Sequence, residues 1–429
     1  MSARVDAAVR RTFASLRSSR NFRLYLAGQM ISATGTWMNF TAMSWLVLRL
    51  TGSGTALGVN AALSFGPVLL FGAFGGVLAD RFDKRHILMW TQSAFAAVSL
   101  TIGLLVFTDV IQLWMVFVLS TVAGVIISID MPSRQSFYVE MVGEDVLTNA
   151  VSLNSAAFTG SRVVGPAVAG ILIATVGIAA CFLIDGLSYL AVLTALVAMR
   201  PGELHPQART TRDRGHLVAG LRYAWRTDAL RRPLLLMAVI FTVTFQWQVL
   251  VPLLAEHTFG AGPREFGFLS AAAGIGSFAA ALMMANRNAT PRMRVLAAFA
   301  LGIGVAMIVT AAAPTLGLAT LAMVPVGFVA MAFIITGNTL LQVNARPEAR
   351  GRVMALYGIV FLGSTPIGAP LAGVLGEHLG PRAAFVIAGI VAALAGAVVL
   401  VLLRRMRAGE VETQVRNAEV APAEVAPAG

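Results

Sequence analysis

Two charged side chains fall inside long apolar runs, where a charge is costly and usually functional. Arg162 lies about eleven residues into one run, and Asp185 lies about seven residues into the next. At 1.5 Å per residue these positions are about 16 and 10 Å from opposite ends of neighbouring helices, so the side chains could lie at similar depth. Three roles remain open: a structural ion pair, a proton-carrying Asp185 tuned by Arg162, or an Arg162 that faces a pore. Asp130 and Arg134, four residues apart at a helix end, predict a second ion pair.

Uncharged polar residues form a stripe at helical spacing in the first apolar run. The stripe comprises Gln29, Ser32, Thr36 and Asn39, is continued by Met43 and is accompanied by Trp37; the seventh run has a similar group of Thr244, Gln246, Trp247 and Gln248. Amides orient a ligand without fixing its charge, and Trp and Met present adaptable apolar surface. We expect these residues to line a central substrate cavity. Hydrogen bonding between helices is the alternative role.

The sequence contains none of the motifs that identify several classes of enzyme and ATP-driven protein. The G-x-x-x-x-G-K-[ST] motif of ATP-driven proteins is absent. The five histidines lie in connections or at helix ends, without metal-ligand spacing and without a triad. The single cysteine, Cys181, excludes an internal disulfide and a Cys-built metal site. We therefore expect no cofactor, no metal and no enzymatic activity; an intramembrane enzyme is the alternative from another class.

The composition places these polar residues in a lipid bilayer. Hydrophobic residues make up 57% of the 429-residue chain and charged residues only 12%, against about 25% in soluble domains. Apolar runs predict twelve helices, each long enough to cross about 30 Å of hydrocarbon. The expected fold is therefore all-α, an integral membrane protein with twelve transmembrane helices.

The distribution of basic residues predicts the orientation. A formal charge of +12 would suggest nucleic acid as the partner of a soluble chain. Here the arginines precede the first helix, follow the second and fill the segment after the sixth, whereas the other side has only Arg49, Arg264 and Arg382 near it. Cytoplasmic loops collect Arg and Lys. We expect both termini in the cytoplasm and no nucleic-acid partner.

One long polar segment divides the chain into similar halves. The predicted parts are a cytoplasmic arm (1–21), a six-helix bundle (22–199), a cytoplasmic linker (200–232), a second six-helix bundle (233–403) and a disordered cytoplasmic tail (404–429). The sequence GPAVAGIL at Gly165 recurs 203 residues later as GAPLAGVL. Such parallel repeats are typical of transporters that bind substrate between two bundles.

The connection between the second and third helices, GGVLADRFDKRH (residues 75–86), resembles motif A of the major facilitator superfamily. The matching residues include Gly76, Asp80, Arg81, Lys84 and Arg85, whereas Asp83 stands where that pattern usually has Gly. An acid at this rim can lie against the positive end of a neighbouring helix. The resemblance implies a gate in which Asp80 holds the cytoplasmic side closed and so stabilises the outward-open state.

The fifth helix contains GSRVVGPAVAG (residues 160–170), which resembles motif C of antiporters in that superfamily. Gly165, Pro166 and Gly170 match, and Ala169 replaces one Gly; the repeat places Gly368, Pro370 and Gly373 in the eleventh helix. Small residues allow close helix packing, and Pro permits bending. We expect these six residues to serve helix packing.

The resemblance to the superfamily covers residues 21–403, and the sequence DMPSRQSFYVEMV (residues 130–142) makes the chain similar to its drug:proton antiporter-3 branch, which contains macrolide and enterobactin exporters. The resemblance implies proton-coupled efflux of a hydrophobic or amphipathic small molecule by alternating access, by a monomer in a bacterial plasma or inner membrane. A nutrient importer of the same fold is the alternative. For proton coupling, Asp185 is the first candidate carrier and Arg162 its modulating partner.

Overall fold

The computed structural model describes residues 14–205, 216–285 and 291–420. Within these ranges twelve long helices follow one another. They are α1 (Arg20–Thr51), α2 (Gly54–Arg81), α3 (Lys84–Phe107), α4 (Leu113–Val142), α5 (Leu147–Thr175), α6 (Ile178–Val197), α7 (Asp228–Thr244 and Trp247–Leu253), α8 (Pro263–Ala285), α9 (Met293–Ala312), α10 (Leu316–Asn344), α11 (Arg350–Gly363 and Thr365–His378) and α12 (Pro381–Val420). Short helices cover Ala14–Ser18 and His216–Arg226, and a π-helical turn covers Leu254–Thr258.

The all-helical membrane fold predicted from the composition is confirmed. Eleven helical segments in the described ranges are long and apolar enough to cross a bilayer. The remaining long helix, α1, has 32 residues and carries the polar stripe, which lowers its hydropathy. Since α1 is also long enough to span about 30 Å, the chain supplies twelve spans.

The tail and the linker differ from their predicted descriptions. Helix α12 continues to Val420, so residues 404–420 are helical rather than irregular; they are rich in helix formers, and the next proline is Pro422. Helix α7 begins at Asp228, within the predicted linker, because Asp228 lies in its first turn and forms ion pairs with Arg231 and Arg232. Residues 1–13, 206–215 and 421–429 of the predicted arm, linker and tail lie outside the described residues.

Local sequence sets the sharp turns between the first helices. Gly52 ends α1 in the left-handed region (φ 63°), and Ser53 begins α2 by accepting a hydrogen bond from the Ala56 amide at 3.1 Å. Asp83 begins α3 in the same way, by accepting from the His86 amide at 3.0 Å. Asp83, which stands where motif A usually has Gly, therefore serves as the N-cap of α3.

The helices form two halves, α1–α6 and α7–α12, whose main mutual contacts are α2 with α11 and α5 with α8. Odd-numbered helices run from one face to the other and even-numbered helices return. We call the face with Arg20, Arg81, Arg200 and Arg405 the basic face, and the face with Gly52, Gly177 and Gly380 the opposite face.

Helices α7 and α11 are both interrupted within the span. Helix α7 breaks at Phe245 and Gln246, and α11 breaks at Ser364, just before Pro366. The Gln246 side-chain amide donates to the carbonyls of Phe241 and Thr242 at 3.1 Å each. Because an unsatisfied carbonyl is costly in a bilayer, this amide stabilises the break in α7.

Candidate binding cavity between the halves

A cavity of about 60 Å³ lies at the interface of the two halves. Five helices line it: α1 (Trp37, Phe40, Thr41, Ser44), α5 (Arg162, Pro166), α7 (Trp247, Gln248, Val251), α8 (Phe266, Ser270, Ala273) and α10 (Met323). Its wall combines aromatic and aliphatic surface with a few hydroxyl and amide groups, and one cation. No acidic residue is among the lining residues.

Arg162 supplies the positive charge of this cavity. Its guanidinium carbon lies 5.2 Å from the centre of the Trp37 ring, a cation–π arrangement. The α5 backbone is fixed there by α8, since a Cβ on Gly274 would lie 2.8 Å from the Arg162 carbonyl oxygen. Across the described residues, Arg162 forms no ion pair with a carboxylate.

Two tryptophans beside the cavity have buried indole N–H groups. Neither Trp37 Nε1 nor Trp247 Nε1 has a hydrogen-bond acceptor among the residues that the structure describes. Trp37 packs against Phe40 and Phe158 at ring distances of 5.7 and 5.6 Å, and Trp247 lies perpendicular to Phe245 at 6.2 Å. Their rings are thus held by packing, while their polar atoms remain unpaired.

Asp185 is fully buried inside the first half. Its Oδ2 accepts hydrogen bonds from Asn39 Nδ2 and Ser99 Oγ, both at 2.8 Å, and its Oδ1 has no hydrogen-bond partner in the described part of the chain. Helix α1 passes close to this carboxyl group, because a Cβ on Gly35 would lie 2.8 Å from Oδ1. Asp185 therefore joins α1, α3 and α6.

The predicted contact between Arg162 and Asp185 is wrong: the described residues show no ion pair between them. Asp185 faces Gly35 and Asn39, whereas Arg162 faces Trp37. At about 100° per residue, Trp37 points to the other side of α1 from Gly35 and Asn39. Helix α1 thus separates the two charges, and Arg162 lies at the wall of the cavity.

Most of the polar stripe on α1 lies away from the cavity wall. Asn39 contacts Asp185, Gln29 accepts a hydrogen bond from Arg134, and Thr36 donates to the Ser32 carbonyl at 3.0 Å. Met43 packs against the hydrophobic core. Among the α1 residues predicted to bind substrate, Trp37 lines the cavity.

Only some of the α7 residues predicted to bind substrate line the cavity. Trp247 and Gln248 line the cavity, whereas Gln246 supports the helix break and the Thr244 hydroxyl donates to the Ile240 carbonyl at 2.8 Å. Phe40, Thr41 and Ser44 also line the cavity, although the sequence did not single them out. They lie three, four and seven positions after Trp37, a helical spacing that was available as a signal.

The predicted ion pair of Asp130 and Arg134 is confirmed and belongs to a buried network near the basic face. Arg134 Nη2 lies 2.8 Å from Asp130 Oδ2, and Thr91 and Gln92 donate to Asp130 Oδ1 at 2.6 and 2.9 Å. Arg134 also donates to the Tyr25 hydroxyl at 2.9 Å and to Gln29. The network fastens α1, α3 and α4 together.

The basic residues of the predicted gate contact their own half. Lys84 Nζ lies 2.5 Å from Glu140 Oε1, and Arg85 Nε donates to the Leu196 carbonyl at 2.8 Å. Asp80 is half-buried at the end of α2, Arg81 is exposed and Gly76 is buried. Lys84 and Arg85 therefore anchor the start of α3 to α4 and α6.

The residues predicted to serve helix packing lie at close contacts. A Cβ on Gly165 would lie 2.5 Å from Trp37 Cβ of α1, and a Cβ on Gly170 would lie 2.8 Å from the Pro263 carbonyl oxygen of α8. Gly368 meets the Thr242 carbonyl of α7, and Gly373 meets the Gly54 carbonyl of α2. The peptide of Pro166 faces Gly267, and Pro370 faces Gly58.

The two halves are closed together near the opposite face. There Glu377 of α11 accepts hydrogen bonds from α2, and the Trp45 ring of α1 stacks on Phe266 of α8 at 5.8 Å. These contacts hold the two halves together at the opposite face.

Comparison with solved structures supports the fold. The chain is similar to a bacterial homologue of the human lysosomal transporter Spinster in an inward-facing, occupied conformation, with a TM-score of 0.71 and 15% identity over 90% of this chain and 98% of that one. It is also similar to a POT family transporter in complex with 5-aminolevulinic acid, with a TM-score of 0.72 and 10% identity over 89% and 96%. At these identities the likeness concerns the fold.

Sequence comparison connects the chain to efflux proteins. It is 28% identical to the multidrug efflux pump Tap of Mycolicibacterium fortuitum, over 90% of this chain and 96% of that protein. It is 22% identical to macrolide efflux protein A of Streptococcus pyogenes (85% and 91%) and to the staphyloferrin A transporter of Staphylococcus aureus (86% and 92%). Residues 10–427 match the family described as transmembrane secretion effector. The chain thus belongs to this family of the major facilitator superfamily and is a multi-pass membrane transporter rather than an enzyme.

Proposed function

We propose that this protein exports hydrophobic or amphipathic small molecules from the cytoplasm by alternating access, coupled to inward movement of protons. The observation that carries the proposal is the cavity between the halves, closed toward the opposite face by Trp45, Phe266 and Glu377. The similarity to a multidrug efflux pump and a macrolide efflux protein supports export as the direction.

The arginines of the basic face support its assignment to the cytoplasm, because arginine and lysine collect in cytoplasmic loops. Both termini of the membrane region are then cytoplasmic, and the contacts of Trp45 with Phe266 and of Glu377 with α2 close the halves on the outer side. Export requires the contacts of α2 with α11 and of α5 with α8 to separate near the opposite face. It also requires the halves to close near Asp80, the role implied by motif A.

For substrate binding we propose Trp37, Trp247 and Gln248, together with the lining residues of α5 and α8. The cavity of about 60 Å³ is smaller than the roughly 300–1,000 Å³ of drug-sized sites. Substrate binding must therefore widen the interface of the halves. We further propose that the protein acts as a monomer.

For proton coupling we propose Asp185. It is buried without a neighbouring cation in the described residues, so proton binding is the means by which its charge can be neutralised. Its partner Asn39 lies on α1, whose other side carries Trp37 and Phe40 of the cavity wall. Loss of the proton would change the Asn39 contact and shift α1, and this connects the carboxyl group with the substrate.

Purified protein in proteoliposomes tests the proposal. A pH gradient should drive transport of a macrolide or dye by the wild type, whereas Asp185→Asn should abolish gradient-driven transport and retain substrate exchange. Ser99→Ala is the matched control, because it removes a hydrogen bond to the same carboxyl oxygen and leaves the titrating group. Gradient-driven transport by Asp185→Asn at the wild-type rate would contradict this coupling site.

A deletion strain tests the direction of transport. We expect increased susceptibility to members of a panel of dyes, macrolides and siderophores, because an exporter lowers their internal concentration. Unchanged susceptibility together with lost uptake of a nutrient would instead support an importer of the same fold.

A further inference from the structure

We propose that the cavity recognises an anionic, acceptor-rich group, so that the preferred substrates are amphipathic acids such as carboxylates. This inference rests on the proposed function, since it assigns a substrate class to the same cavity. It is independent of the identity of the proton carrier.

The first argument is the charge of Arg162. A guanidinium in the membrane region costs free energy unless it is paired or solvated. The contact of Arg162 with the Trp37 ring is a weak substitute for an anion, and none of the described residues that line the cavity carries a carboxylate. The remaining donors of this guanidinium are available to a ligand.

The second argument is the pair of unsatisfied indole N–H groups. Trp37 and Trp247 lie on α1 and α7, the corresponding first helices of the two halves, and both line the cavity. A buried donor without an acceptor is destabilising, and neither indole finds an acceptor within the described part of the protein. The polar groups of Arg162, Trp37 and Trp247 are thus donors without an acceptor of their own, and a carboxylate offers acceptors at four lone-pair sites.

The third argument is the position of the acids. Asp185, which is fully buried in the first half, lies on the far side of α1, where Asn39 and Ser99 donate hydrogen bonds to its Oδ2. A cationic substrate would therefore meet Arg162 without a compensating negative charge. Phe40, Val251, Phe266 and Met323 supply the apolar surface for the rest of an amphipathic acid.

Binding to purified protein in nanodiscs tests the inference with three probes that share a 1-naphthylmethyl group: 1-naphthaleneacetate, its neutral amide, and (1-naphthylmethyl)trimethylammonium. Equilibrium dialysis should show the acid binding about ten- to a hundredfold more tightly than the amide, the effect of a charge-assisted hydrogen bond. The cation should bind more weakly than the amide. Equal affinities, a preference for the cation, or no measurable binding of the acid would overturn the inference.

Variants connect the preference to the cavity. Arg162→Gln should remove the preference for the acid. Arg162→Lys, which keeps the positive charge, should still bind the acid more tightly than the amide. Arg264→Gln is the matched control, because this arginine also lies over a ring, that of Phe268, but outside the cavity lining. If Arg162→Gln fails to fold, Trp247→Phe removes the indole N–H together with part of the ring and should weaken binding of the acid relative to the amide about two- to tenfold; an unchanged ratio of the two affinities would contradict the role of that donor.

The same preparation separates this inference from the proposed function. Preference for the acid without proton-driven flux of any probe or drug would support the inference and contradict proton-coupled efflux. Proton-driven flux of a neutral macrolide or cationic dye, with no preference for the acid and no effect of Arg162→Gln, would support efflux and overturn the inference.

Discussion

Glu377 caps the first turn of α2 from the other half of the molecule: its Oε2 accepts hydrogen bonds from Ser53 Oγ at 2.7 Å and from the Thr55 amide at 2.8 Å. A carboxylate at a helix N-terminus is stabilised by the unpaired amides and the helix dipole. Since α2 and α11 belong to different halves, this contact exists only while the opposite face is closed.

Glu377→Gln should shift the population toward the state open at the opposite face. Loss of the charge removes roughly 0.3–2 kcal/mol, which corresponds to about a two- to thirtyfold change in the ratio of states. Accessibility of single cysteines introduced on each face measures this ratio, and the native Cys181 is buried. Glu265→Gln is the control, because Glu265 accepts from the Gly262 amide of its own half; equal effects of the two variants would contradict the latch.

Asp80→Asn should have the opposite effect and favour the inward-open state. If the carboxylate stabilises closure near the basic face, loss of its charge removes a similar roughly 0.3–2 kcal/mol, and the variant should fold normally and transport poorly. Asp83→Asn is the neighbouring control, since Asp83 caps α3 and asparagine is also a good cap. If single cysteines on the two faces are as accessible in Asp80→Asn as in the wild type, Asp80 does not hold the cytoplasmic side closed.

Arg162→Gln and Asp185→Asn should act independently on stability. The two residues face opposite sides of α1 and share no hydrogen bond in the described residues, and separated sites usually add within about 0.3–0.5 kcal/mol. A double-mutant cycle measured by thermal unfolding in detergent checks this expectation. A coupling energy above about 1 kcal/mol would indicate a direct interaction.

Gly170→Ala should separate α5 from α8. Its Cβ would meet backbone atoms of Pro263, Arg264 and Gly267 at 2.8–3.0 Å, and overpacking of this kind costs about 1–3 kcal/mol. Cysteine accessibility should therefore increase at the opposite face. Gly160→Ala on the same helix is the control, because its Cβ meets no atom within 4 Å and alanine favours a helix by about 0.5–1 kcal/mol.

The helices could be predicted because membrane spans depend on length and hydropathy, which the sequence contains directly. The repeat of Gly165 at Gly368 likewise indicated the two halves, because close helix packing restricts side-chain size. The extension of α12 to Val420 was missed because a polar segment rich in helix formers resembles an irregular tail in hydropathy alone.

The cavity was harder to predict because a polar stripe on a membrane helix has two possible neighbours, water or the polar groups of another helix. Thr36 and Asn39 face α6, whereas Trp37 faces the cavity. Arg162 and Asp185 were placed at similar depth from their positions along the chain. Their directions around α1 depend on how three helices pack, which spacing alone does not determine.

The separation of Arg162 from Asp185 by α1 has an electrical consequence. If the substrate neutralises Arg162 and the proton neutralises Asp185, the negative charge of the substrate and the positive charge of the proton bind at separate sites. They therefore do not cancel within one ion pair. Export of a monovalent anion and import of one proton each move positive charge inward. The transport cycle would be electrogenic, and an interior-negative membrane potential would contribute about 2.3 kcal/mol per charge for each 100 mV.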